Sequence, residues 1–120
     1  MATNILVIDD DETIVELIRA VLSEEGFRVS TALSGDEALN SPPAPPDLMV
    51  LDMFMPGTAG AELAEGLRTK YGADVPILLI SASIVDREAQ ALGAYEYLPK
   101  PFDLDELLAA IRRGLASPAE

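Results

Sequence analysis

Three continuous apolar runs constrain this chain more than any other feature of its sequence. They are Ile5–Ile8 (ILVI), Leu48–Leu51 (LMVL) and Ile77–Ile80 (ILLI). A strand with one solvated face alternates apolar and polar residues, whereas an unbroken apolar run indicates a strand covered on both faces. The three runs therefore predict the central strands of a sheet that lies between two layers of helices.

Two weaker strand patterns accompany these runs. Phe27–Ala32 (FRVSTA) alternates apolar with polar residues, and Tyr95–Leu98 (YEYL) is interrupted by Glu96. Such mixed patterns are typical of strands that are partly exposed to solvent. We therefore predict that these two segments form the opposite edges of the sheet.

Helical periodicity fills the stretches between the strands. Gly26 is placed to end the first helix, Ser34 precedes a short helix over Gly35–Leu39, and Asp103 is placed to cap the last helix. Another short helix is predicted over Asp86–Leu92. The apolar stripes of the three longer helices are Ile14, Ile18, Val21 and Leu22; Leu63, Leu67 and Tyr71; and Leu104, Leu107, Leu108, Ile111 and Leu115.

The elements follow one another as a strand and a helix, repeated five times. This order predicts an α/β fold with a parallel sheet and right-handed crossovers. A chain of 120 residues fits one domain, which we place over residues 1–116, with residues 117–120 as a tail or the start of a linker. The Pro-rich stretch Ser41–Pro46 is predicted to be a stiff surface loop within that domain.

Composition excludes several classes of function. The chain has 21 acidic and 8 basic residues, and its formal charge of −13 disfavours direct binding to nucleic acid or to an anionic membrane. It contains no cysteine and no histidine, which excludes zinc–thiolate sites and serine–histidine triads within this chain. No segment reaches the roughly 18 apolar residues of a membrane span. We expect a soluble, cytoplasmic protein.

Polar side chains stand at the carboxyl ends of the predicted strands. In chain order they are Asp9, Asp10 and Asp11, then Asp52, then Ser81, then Lys100. In an open parallel sheet these ends lie along one edge, which is where ligands bind in such folds. We therefore expect several acids, a hydroxyl and an ammonium group to meet at one place.

This set of side chains predicts a particular chemistry. Crowded carboxylates repel one another, and a hard divalent cation relieves the repulsion; ligation by oxygen alone suits Mg²⁺. A carboxylate held beside Mg²⁺ can attack phosphorus and become an aspartyl phosphate. The hydroxyl of Ser81 and the ammonium of Lys100 can contact the remaining phosphoryl oxygens. The pattern therefore indicates phosphoryl transfer to an aspartate.

In this arrangement the chain resembles the response-regulator receiver domains of two-component signalling, the family that includes the bacterial chemotaxis regulator. The resemblance rests on Asp9–Asp10, on Asp52 within DMFMPGTAG, on Ser81–Ala82 and on Lys100–Phe102 (KPF), in the right order along essentially the whole chain. It implies a flavodoxin-like, doubly wound (βα)5 fold whose five parallel strands have the order 2-1-3-4-5.

The resemblance implies a metal site with Mg²⁺ as the cofactor. Asp52 is the expected phosphoacceptor and a metal ligand. Asp10 is expected to bind Mg²⁺ directly, and Asp9 largely through water. The backbone carbonyl of Phe54 is the remaining protein ligand that the family implies.

The resemblance also implies residues that contact the phosphoryl group and transmit its presence. Ser81, followed by Ala82, is expected to bond a phosphoryl oxygen, and Lys100 is expected to form an ion pair with the phosphate. Tyr97 matches the family's switch aromatic, which turns inward when Ser81 moves toward the phosphoryl group. The peptide bond that precedes Pro101 is expected to be cis.

The implied function is a signalling switch rather than a metabolic enzyme. A sensor histidine kinase or a phosphotransfer protein is expected to donate the phosphoryl group, and a downstream target protein or output domain is expected to read the changed surface. The chain is expected to catalyse only its own phosphorylation and its slow dephosphorylation.

The sequence departs from the family pattern in three places. Only eleven residues separate Ser81 from Gly93, where receiver domains usually have about fourteen, so roughly one helical turn is missing from the fourth of the five predicted helices or from the loop before it. This change falls on the usual output surface. Phe54 is bulky and apolar where small or polar residues are common; we predict that it shields the phosphoryl group from water, so that Phe54→Asn shortens the phosphate lifetime. Ala59 replaces a polar residue often found before Gly60.

Other interpretations remain open at this stage. Asp9-x-Asp11-x-Thr13, together with Ser81, is similar to the first two motifs of haloacid-dehalogenase-type phosphatases, with Asp9 as nucleophile and Asp11 as general acid. That interpretation leaves Asp52 unexplained, and the chain is short for that fold. A pseudo-receiver, which has the same fold and binds proteins without being phosphorylated, is the second alternative, and the intact set of acids, serine and lysine argues against it.

Each candidate residue also has a purely structural interpretation. Asp11 with Glu12 suits the start of a helix, Ser81 suits an N-cap, and Tyr97 suits an edge strand. A shared functional site is favoured only because polar residues of these types occur together at the ends of four predicted strands.

Overall fold

A computed structural model of the chain describes residues 3–40, 45–52, 54–55, 58–81 and 93–116. The helix predicted over residues 86–92, part of the Pro-rich loop (residues 41–44), the tail (residues 117–120) and Ala82 lie outside these ranges. The statements made about them above therefore stay predictions, as does the proposed domain boundary after residue 116.

The described residues contain seven strands and four helices. The strands are β1 (Asn4–Ile8), β2 (Arg28–Ala32), β3 (Leu48–Asp52), β4 (Phe54–Met55), β5 (Thr58–Ala59), β6 (Ile77–Ser81) and β7 (Glu96–Pro99). The helices are α1 (Glu12–Glu24), α2 (Gly35–Leu39), α3 (Gly60–Tyr71) and α4 (Leu104–Ala116). Among these helices none combines the length and the apolar character needed to cross a bilayer.

Five strands form one parallel sheet in the order β2-β1-β3-β6-β7. Counting only these five strands, this is the predicted order 2-1-3-4-5, so the predicted fold class is confirmed. The two strands with mixed patterns, β2 and β7, are the edges, as predicted. Strands β4 and β5 pair with each other in a separate antiparallel hairpin, for which the sequence patterns gave no prediction.

Two layers of helices explain the continuous apolar runs. In β1, Ile5 and Val7 belong to a core cluster with residues of α1 and α4, whereas Leu6 and Ile8 belong to a cluster with residues of α2 and α3. Successive side chains of a strand point to opposite faces of the sheet, so a strand covered on both sides must be apolar at every position. All five residues of β3 and of β6 are buried.

The pairing of residues between strands shows that several predicted strand ends were wrong. Asp52 and Ser81 do not follow their strands but are the last residues of β3 and β6, because Asp52 pairs with Ile80 and Ser81 pairs with Pro99. The last strand runs over Glu96–Pro99 rather than Tyr95–Leu98. The ladder with β6 thus continues beyond the apolar residues from which the strands were predicted.

Helix α1 begins and ends at the predicted signals. The side chain of Asp11 accepts hydrogen bonds from two backbone N–H groups of the first turn, at 3.0 and 3.3 Å. Gly26 has a φ of 92°, and the N–H of Phe27 donates to the carbonyl of Leu22 at 3.1 Å. A residue with positive φ at this place closes the helix and satisfies its last carbonyls.

The starts of α2 and α4 also follow the sequence. The hydroxyl of Ser34 accepts a hydrogen bond from the N–H of Glu37 at 3.1 Å. Before α4, the N–H of Asp103 lies 3.4 Å from a carboxylate oxygen of Glu106, three residues along the chain. Both contacts give partners to backbone groups that a helix start leaves without one.

Candidate functional site

The sheet register brings the candidate residues to one edge of the sheet. Asp9 lies one residue beyond the β1–β3 ladder, level with Asp52 at the end of β3. On the neighbouring strands, Ser81 pairs with Pro99, and the backbone N–H of Lys100 donates to the carbonyl of Ser81 at 2.7 Å. Four strand ends therefore deliver their polar residues to the same place.

Three carboxylates meet at this edge. One carboxylate oxygen from each of Asp9, Asp10 and Asp52 lies within 4.8 Å of the others. Asp9 and Asp52 are buried, whereas Asp10 is exposed. This separation is short enough for Asp10 and Asp52, which are far apart in the sequence, to contact the same cation.

Asp9 is held by the protein through both of its carboxylate oxygens. Its Oδ1 accepts a hydrogen bond from the N–H of Asp11 at 2.9 Å, and its Oδ2 accepts one from Nζ of Lys100 at 2.8 Å. The residue is 0% exposed. A carboxylate so engaged is poorly placed to act as a nucleophile, and the side chain of Asp11 caps α1. Both facts argue against the haloacid-dehalogenase interpretation.

Lys100 places a positive charge between two of the acids. Its Nζ lies 2.8 Å from Oδ2 of Asp9 and 3.5 Å from Oδ2 of Asp52. Burial lowers the pKa of Lys100, but the hydrogen bond and charge of Asp9, together with Asp52, outweigh that effect and leave the pKa above its ordinary value. The ammonium is therefore charged at neutral pH.

The charge balance tests whether the site suits a metal ion. Three carboxylates against one ammonium leave two negative charges close together. A divalent cation matches that charge, and Mg²⁺ prefers oxygen ligands and keeps several waters of its own. The residues present at this edge therefore fit Mg²⁺.

The remaining residues of the predicted site are within a few positions of Asp52, Ser81 or Lys100 in the sequence. Ser81 is fully buried. Tyr97 lies in β7 and packs, partly buried, against the core cluster on the α2 and α3 side of the sheet. The Lys100–Pro101 peptide bond is cis. The backbone of Phe54 lies in β4, but its side chain is outside the described part of the structure, so its predicted shielding role stays a prediction.

The hairpin of β4 and β5, which begins two residues beyond Asp52, was not predicted from the sequence. A Pro–Gly pair between the two strands is a signal for a turn. However, each strand has only two residues, which is too short to show a repeating pattern.

Comparison with known proteins decides the family. A model of the response regulator receiver domain matches residues 5–112. The chain belongs to this family. The match covers every residue assigned to the candidate site, and it confirms the resemblance proposed from the sequence.

Curated relatives of this receiver domain are longer proteins. Response regulator MprA of Mycobacterium bovis is 45% identical over 116 residues, which are 93% of this chain and 50% of MprA. MprA of Mycobacterium avium is 46% identical over 112 residues, which are 90% of this chain and 49% of that protein. The receiver domain thus spans about half the length of these relatives.

Solved structures share its fold. Chemotaxis protein CheY4 of Vibrio cholerae has a TM-score of 0.89 at 30% identity, covering 96% of this chain and 100% of that one. The non-phosphorylated receiver domain of HemR from Leptospira biflexa has a TM-score of 0.88 at 34% identity, covering 98% of both chains. TrrA of Thermotoga maritima, in complex with Mg²⁺–BeF, has a TM-score of 0.81 at 38% identity, covering 94% and 99%.

Proposed function

We propose that this receiver domain is a phosphorylation-dependent switch of a two-component system and that Asp52 accepts the phosphoryl group. The observation that carries this proposal is the meeting of Asp9, Asp10 and Asp52 within 4.8 Å, with Lys100 bound among them. Burying Asp9 and Asp52 beside a third carboxylate is costly to the fold itself. Phosphoryl transfer, by contrast, requires an acceptor, a cation and a fixed positive charge at one place.

Three side chains and one backbone carbonyl would bind Mg²⁺ in different ways. Asp10, Asp52 and the backbone carbonyl of Phe54 would be the protein ligands, with Asp9 acting largely through water. Once bound, Mg²⁺ would neutralise charge on the acceptor and on the phosphoryl oxygens. The similar receiver TrrA, whose structure contains Mg²⁺–BeF, supports this assignment.

The chain's own residues would carry out the transfer. The carboxylate of Asp52 attacks phosphorus, and an O–P bond forms as the bond from phosphorus to the donor's imidazole nitrogen breaks, so that the bonding pair stays on the leaving nitrogen. Lys100, 3.5 Å from Asp52, is placed to pair with a phosphoryl oxygen. Asp9 keeps the ammonium of Lys100 in that position before transfer.

Ser81 and Tyr97 would carry the change to the surface. The hydroxyl of Ser81 would move toward the phosphoryl group, and Tyr97, on the edge strand β7, would turn inward in response. Because Tyr97 is only partly buried, its ring has room to change position at modest cost. The side of the molecule near β7 would then present a different surface to a partner.

The partners follow from this chemistry. A sensor histidine kinase or a phosphotransfer protein would supply the phosphoryl group from a phosphohistidine. An output domain or a separate target protein would read the changed surface. The relatives that are about twice as long as this chain have room for an output domain beside the receiver.

Phosphorylation by a small donor tests the proposal. The protein is incubated with MgCl2 and acetyl phosphate, and its intact mass is measured. We expect a gain of one phosphoryl group that requires Mg²⁺ and is absent in Asp52→Asn. Asp74→Asn, which changes an exposed carboxylate in a turn beyond α3, is the control and should be phosphorylated normally.

Two other results would favour the alternatives. A wild-type protein that gains no mass would be a pseudo-receiver. Phosphatase turnover that survives Asp52→Asn but is lost in Asp9→Asn would point to the haloacid-dehalogenase chemistry instead.

A further inference from the structure

The helices of this fold begin at the edge of the sheet that carries the candidate site. A helix that joins two parallel strands runs back from the end of one strand to the start of the next. The N–H of Asp9 donates to the carbonyl of Ala32, the last residue of β2, at 3.1 Å. Helix α1 begins two residues beyond Asp10, α2 three residues beyond Ala32 and α4 four residues beyond Lys100. Four residues span at most about 14 Å, so each of these helices begins within that distance of a residue that belongs to the site or is bonded to it.

The first turns of these helices and of α3 carry exposed acidic residues. They are Glu12 in α1, Asp36 and Glu37 in α2, Glu62 in α3, and Asp105 and Glu106 in α4. A negative charge at a helix start is favoured by the helix dipole, which gives each of these residues a structural role of its own. Because the helices begin at one edge, however, their charges add up there. The three carboxylates of the site are therefore accompanied by further exposed acids.

The opposite edge, where strands begin and helices end, has a mixed charge. Its basic residues are Arg28 at the start of β2, Arg68 and Lys70 in the last turn of α3, and Arg112 and Arg113 in the second half of α4. The two arginines of α4 form ion pairs with Glu25, which follows α1, and with Glu96, which starts β7. Among the described residues at strand ends and helix starts, by contrast, the only basic side chain is that of Lys100. Negative charge is thus concentrated at the edge that carries the site.

We propose that this acidic edge selects the phosphodonor by charge: a phosphohistidine on a surface rich in lysine and arginine is favoured over one on an acidic surface and over a free anionic phosphodonor. This inference rests on the proposed function, because it names the chemistry of the partner that delivers the phosphoryl group to Asp52. A phosphoryl group is itself negative, so it approaches against the field of the exposed acids. Basic residues beside the phosphohistidine reverse the sign of that interaction and speed the encounter.

The cations of the site do not remove this field. Lys100 and a bound Mg²⁺ together carry three positive charges, which the carboxylates of Asp9, Asp10 and Asp52 already match. The acids of the helix starts come in addition to these three. An approaching donor therefore meets a negative surface before it reaches the metal.

Two synthetic donors test the selection on the wild-type protein. Both are peptides with one phosphohistidine, made with phosphoramidate and freed of that reagent, and they differ only in that lysines flank the phosphohistidine in one and glutamates in the other. The second-order rate constant of transfer is measured by intact mass, with the same MgCl2 concentration throughout. At an ionic strength of about 10 mM, where the Debye length is about 30 Å, we expect the lysine peptide to react at least about 10-fold faster.

Salt gives the same experiment a second readout. At an ionic strength of about 0.15 M the Debye length is about 8 Å, so most of the steering is screened. Added NaCl should slow transfer from the lysine peptide and speed transfer from the glutamate peptide. Transfer from acetyl phosphate, which is a free anion, should also become faster. The ratio of the two peptide rates should fall below about threefold.

A pair of double variants locates the effect at one edge. Asp36→Asn with Asp105→Asn removes two exposed charges at helix starts, and neither residue is a proposed metal ligand. The control, Glu24→Gln with Asp74→Asn, removes the same charge from the end of α1 and the turn beyond α3, at the opposite edge. At low ionic strength the first variant should reduce the ratio of peptide rates about threefold, and the control should leave it nearly unchanged.

Several results would overturn the inference alone. These are equal rates from the two peptides at low ionic strength, a ratio that does not respond to NaCl, an equal reduction in the two double variants, or phosphorylation by acetyl phosphate without any transfer from the lysine peptide. In each of these cases Asp52 is still phosphorylated, so the proposed function stands. A wild-type protein that accepts a phosphoryl group from none of the three donors overturns both proposals.

Discussion

Lys100 lies between the carboxylate of Asp9, which the protein holds by hydrogen bonds, and that of Asp52, the proposed phosphoacceptor. Its ammonium lies closer to Asp9 than to Asp52, at 2.8 Å against 3.5 Å. Asp9 has no exposed surface, and its carboxylate is paired with this ammonium and with the N–H of Asp11. The same positive charge also opposes the binding of any cation to the neighbouring acids. We therefore expect Lys100 to stabilise the metal-free protein and, at the same time, to lower the affinity of the site for a metal cation.

Replacing Lys100 should separate these two effects. We expect Lys100→Met to lower the free energy of unfolding in Mg²⁺-free buffer by about 3 kcal/mol, because a buried carboxylate loses its partner. Added Mg²⁺ should raise the stability of the variant more than that of wild type, since the competing charge is gone. Urea unfolding with and without MgCl2 measures both quantities.

Lys70→Met is the matched control for this experiment. Lys70 lies in the last turn of α3, with its Nζ over the ring of Tyr71 and 5.4 Å from the ring centre. Its loss should cost less than about 1 kcal/mol and should leave the effect of Mg²⁺ unchanged. An equal gain from Mg²⁺ in wild type and Lys100→Met would show that Lys100 does not influence the metal.

Tyr95 gives a pH dependence whose sign can be worked out. Its hydroxyl donates to the carbonyl of Ala110 at 2.7 Å. Burial of the hydroxyl, together with the charge of Glu96, raises the pKa of Tyr95 against the smaller opposing effect of Arg113. Above pH 10, close to the pKa of an unfolded tyrosine, the unfolded chain loses this proton while the folded chain keeps it. Ionisation then favours the unfolded state.

We therefore expect the stability of wild type to fall more steeply above about pH 10 than that of Tyr95→Phe. At pH 7 the variant should be less stable by about 1 kcal/mol, because the hydrogen bond is lost. Urea midpoints measured from pH 7 to 11 test this. Parallel curves for the two proteins over the alkaline range would contradict it.

At the level of elements, Gly114 governs how α4 meets its neighbours. A Cβ atom on Gly114 would lie 2.4 Å from Cζ of Tyr95, 2.5 Å from its hydroxyl oxygen and 2.7 Å from a methyl group of Leu48. Leu48 is fully buried and has no room to withdraw. Glycine in a helix costs about 1 kcal/mol relative to alanine, and here its lack of a side chain makes a notch for the tyrosine.

Gly114→Ala should therefore destabilise the protein by about 2 kcal/mol, in spite of the better helix propensity of alanine. Gly66→Ala in α3 is the matched control. The nearest atom to a Cβ on Gly66 is a methyl group of Leu39, at 3.0 Å, and Leu39 is 36% exposed and can move aside. That variant should be as stable as wild type, or more stable by up to about 1 kcal/mol.

Thermal and urea unfolding of the two variants compare them directly. The prediction concerns the difference between the two sites, since the same substitution is made in both helices. If Gly114→Ala were as stable as Gly66→Ala, the ring of Tyr95 would have to leave the notch at no cost.

The helices and strands that were predicted correctly are those marked by patterns of residues close together in the sequence. Three unbroken runs predicted the buried strands, and Asp11, Ser34 and Gly26 predicted helix ends, because capping acts over three to four residues. The contact of Tyr95 with α4 had no such signal, since it depends on how a strand and a helix are placed in space. The one-residue shift of β7 has the same cause, because its register is set by β6.

Part of the site was predictable from the topology of the sheet rather than from local signals. The rule that parallel strands end at one edge brought Asp9 and Lys100 together although they are 91 residues apart. It did not predict that Asp9 accepts hydrogen bonds through both oxygens. Such details depend on side-chain directions and loop geometry, which apolar periodicity does not report.

At the level of the whole molecule, the dominant property is negative charge. The formal charge of the chain is −13. Three of the described arginines, Arg19, Arg112 and Arg113, are in ion pairs with Glu16, Glu25 and Glu96. The remaining acids repel one another, and salt screens that repulsion. Part of any stabilisation by MgCl2 will therefore be nonspecific.

A comparison of two salts separates the nonspecific part. NaCl should raise the Tm, and MgCl2 at equal ionic strength should raise it further, by an amount equivalent to about 2.7 kcal/mol at 100 times the Kd. The excess should disappear in Asp10→Asn and remain in Asp74→Asn. Equal Tm values in the two salts would mean that Mg²⁺ acts only by screening.

The ends of four strands supply the acids, the serine and the lysine, and the last of these strands is also the last to leave the ribosome. A nascent chain that has emerged only as far as β6 carries every proposed acidic ligand but lacks Lys100, which neutralises part of their charge. The proposed metal site is thus complete only when the whole sheet has formed. A chain truncated before Lys100 would keep the three carboxylates without the ammonium that neutralises part of their charge.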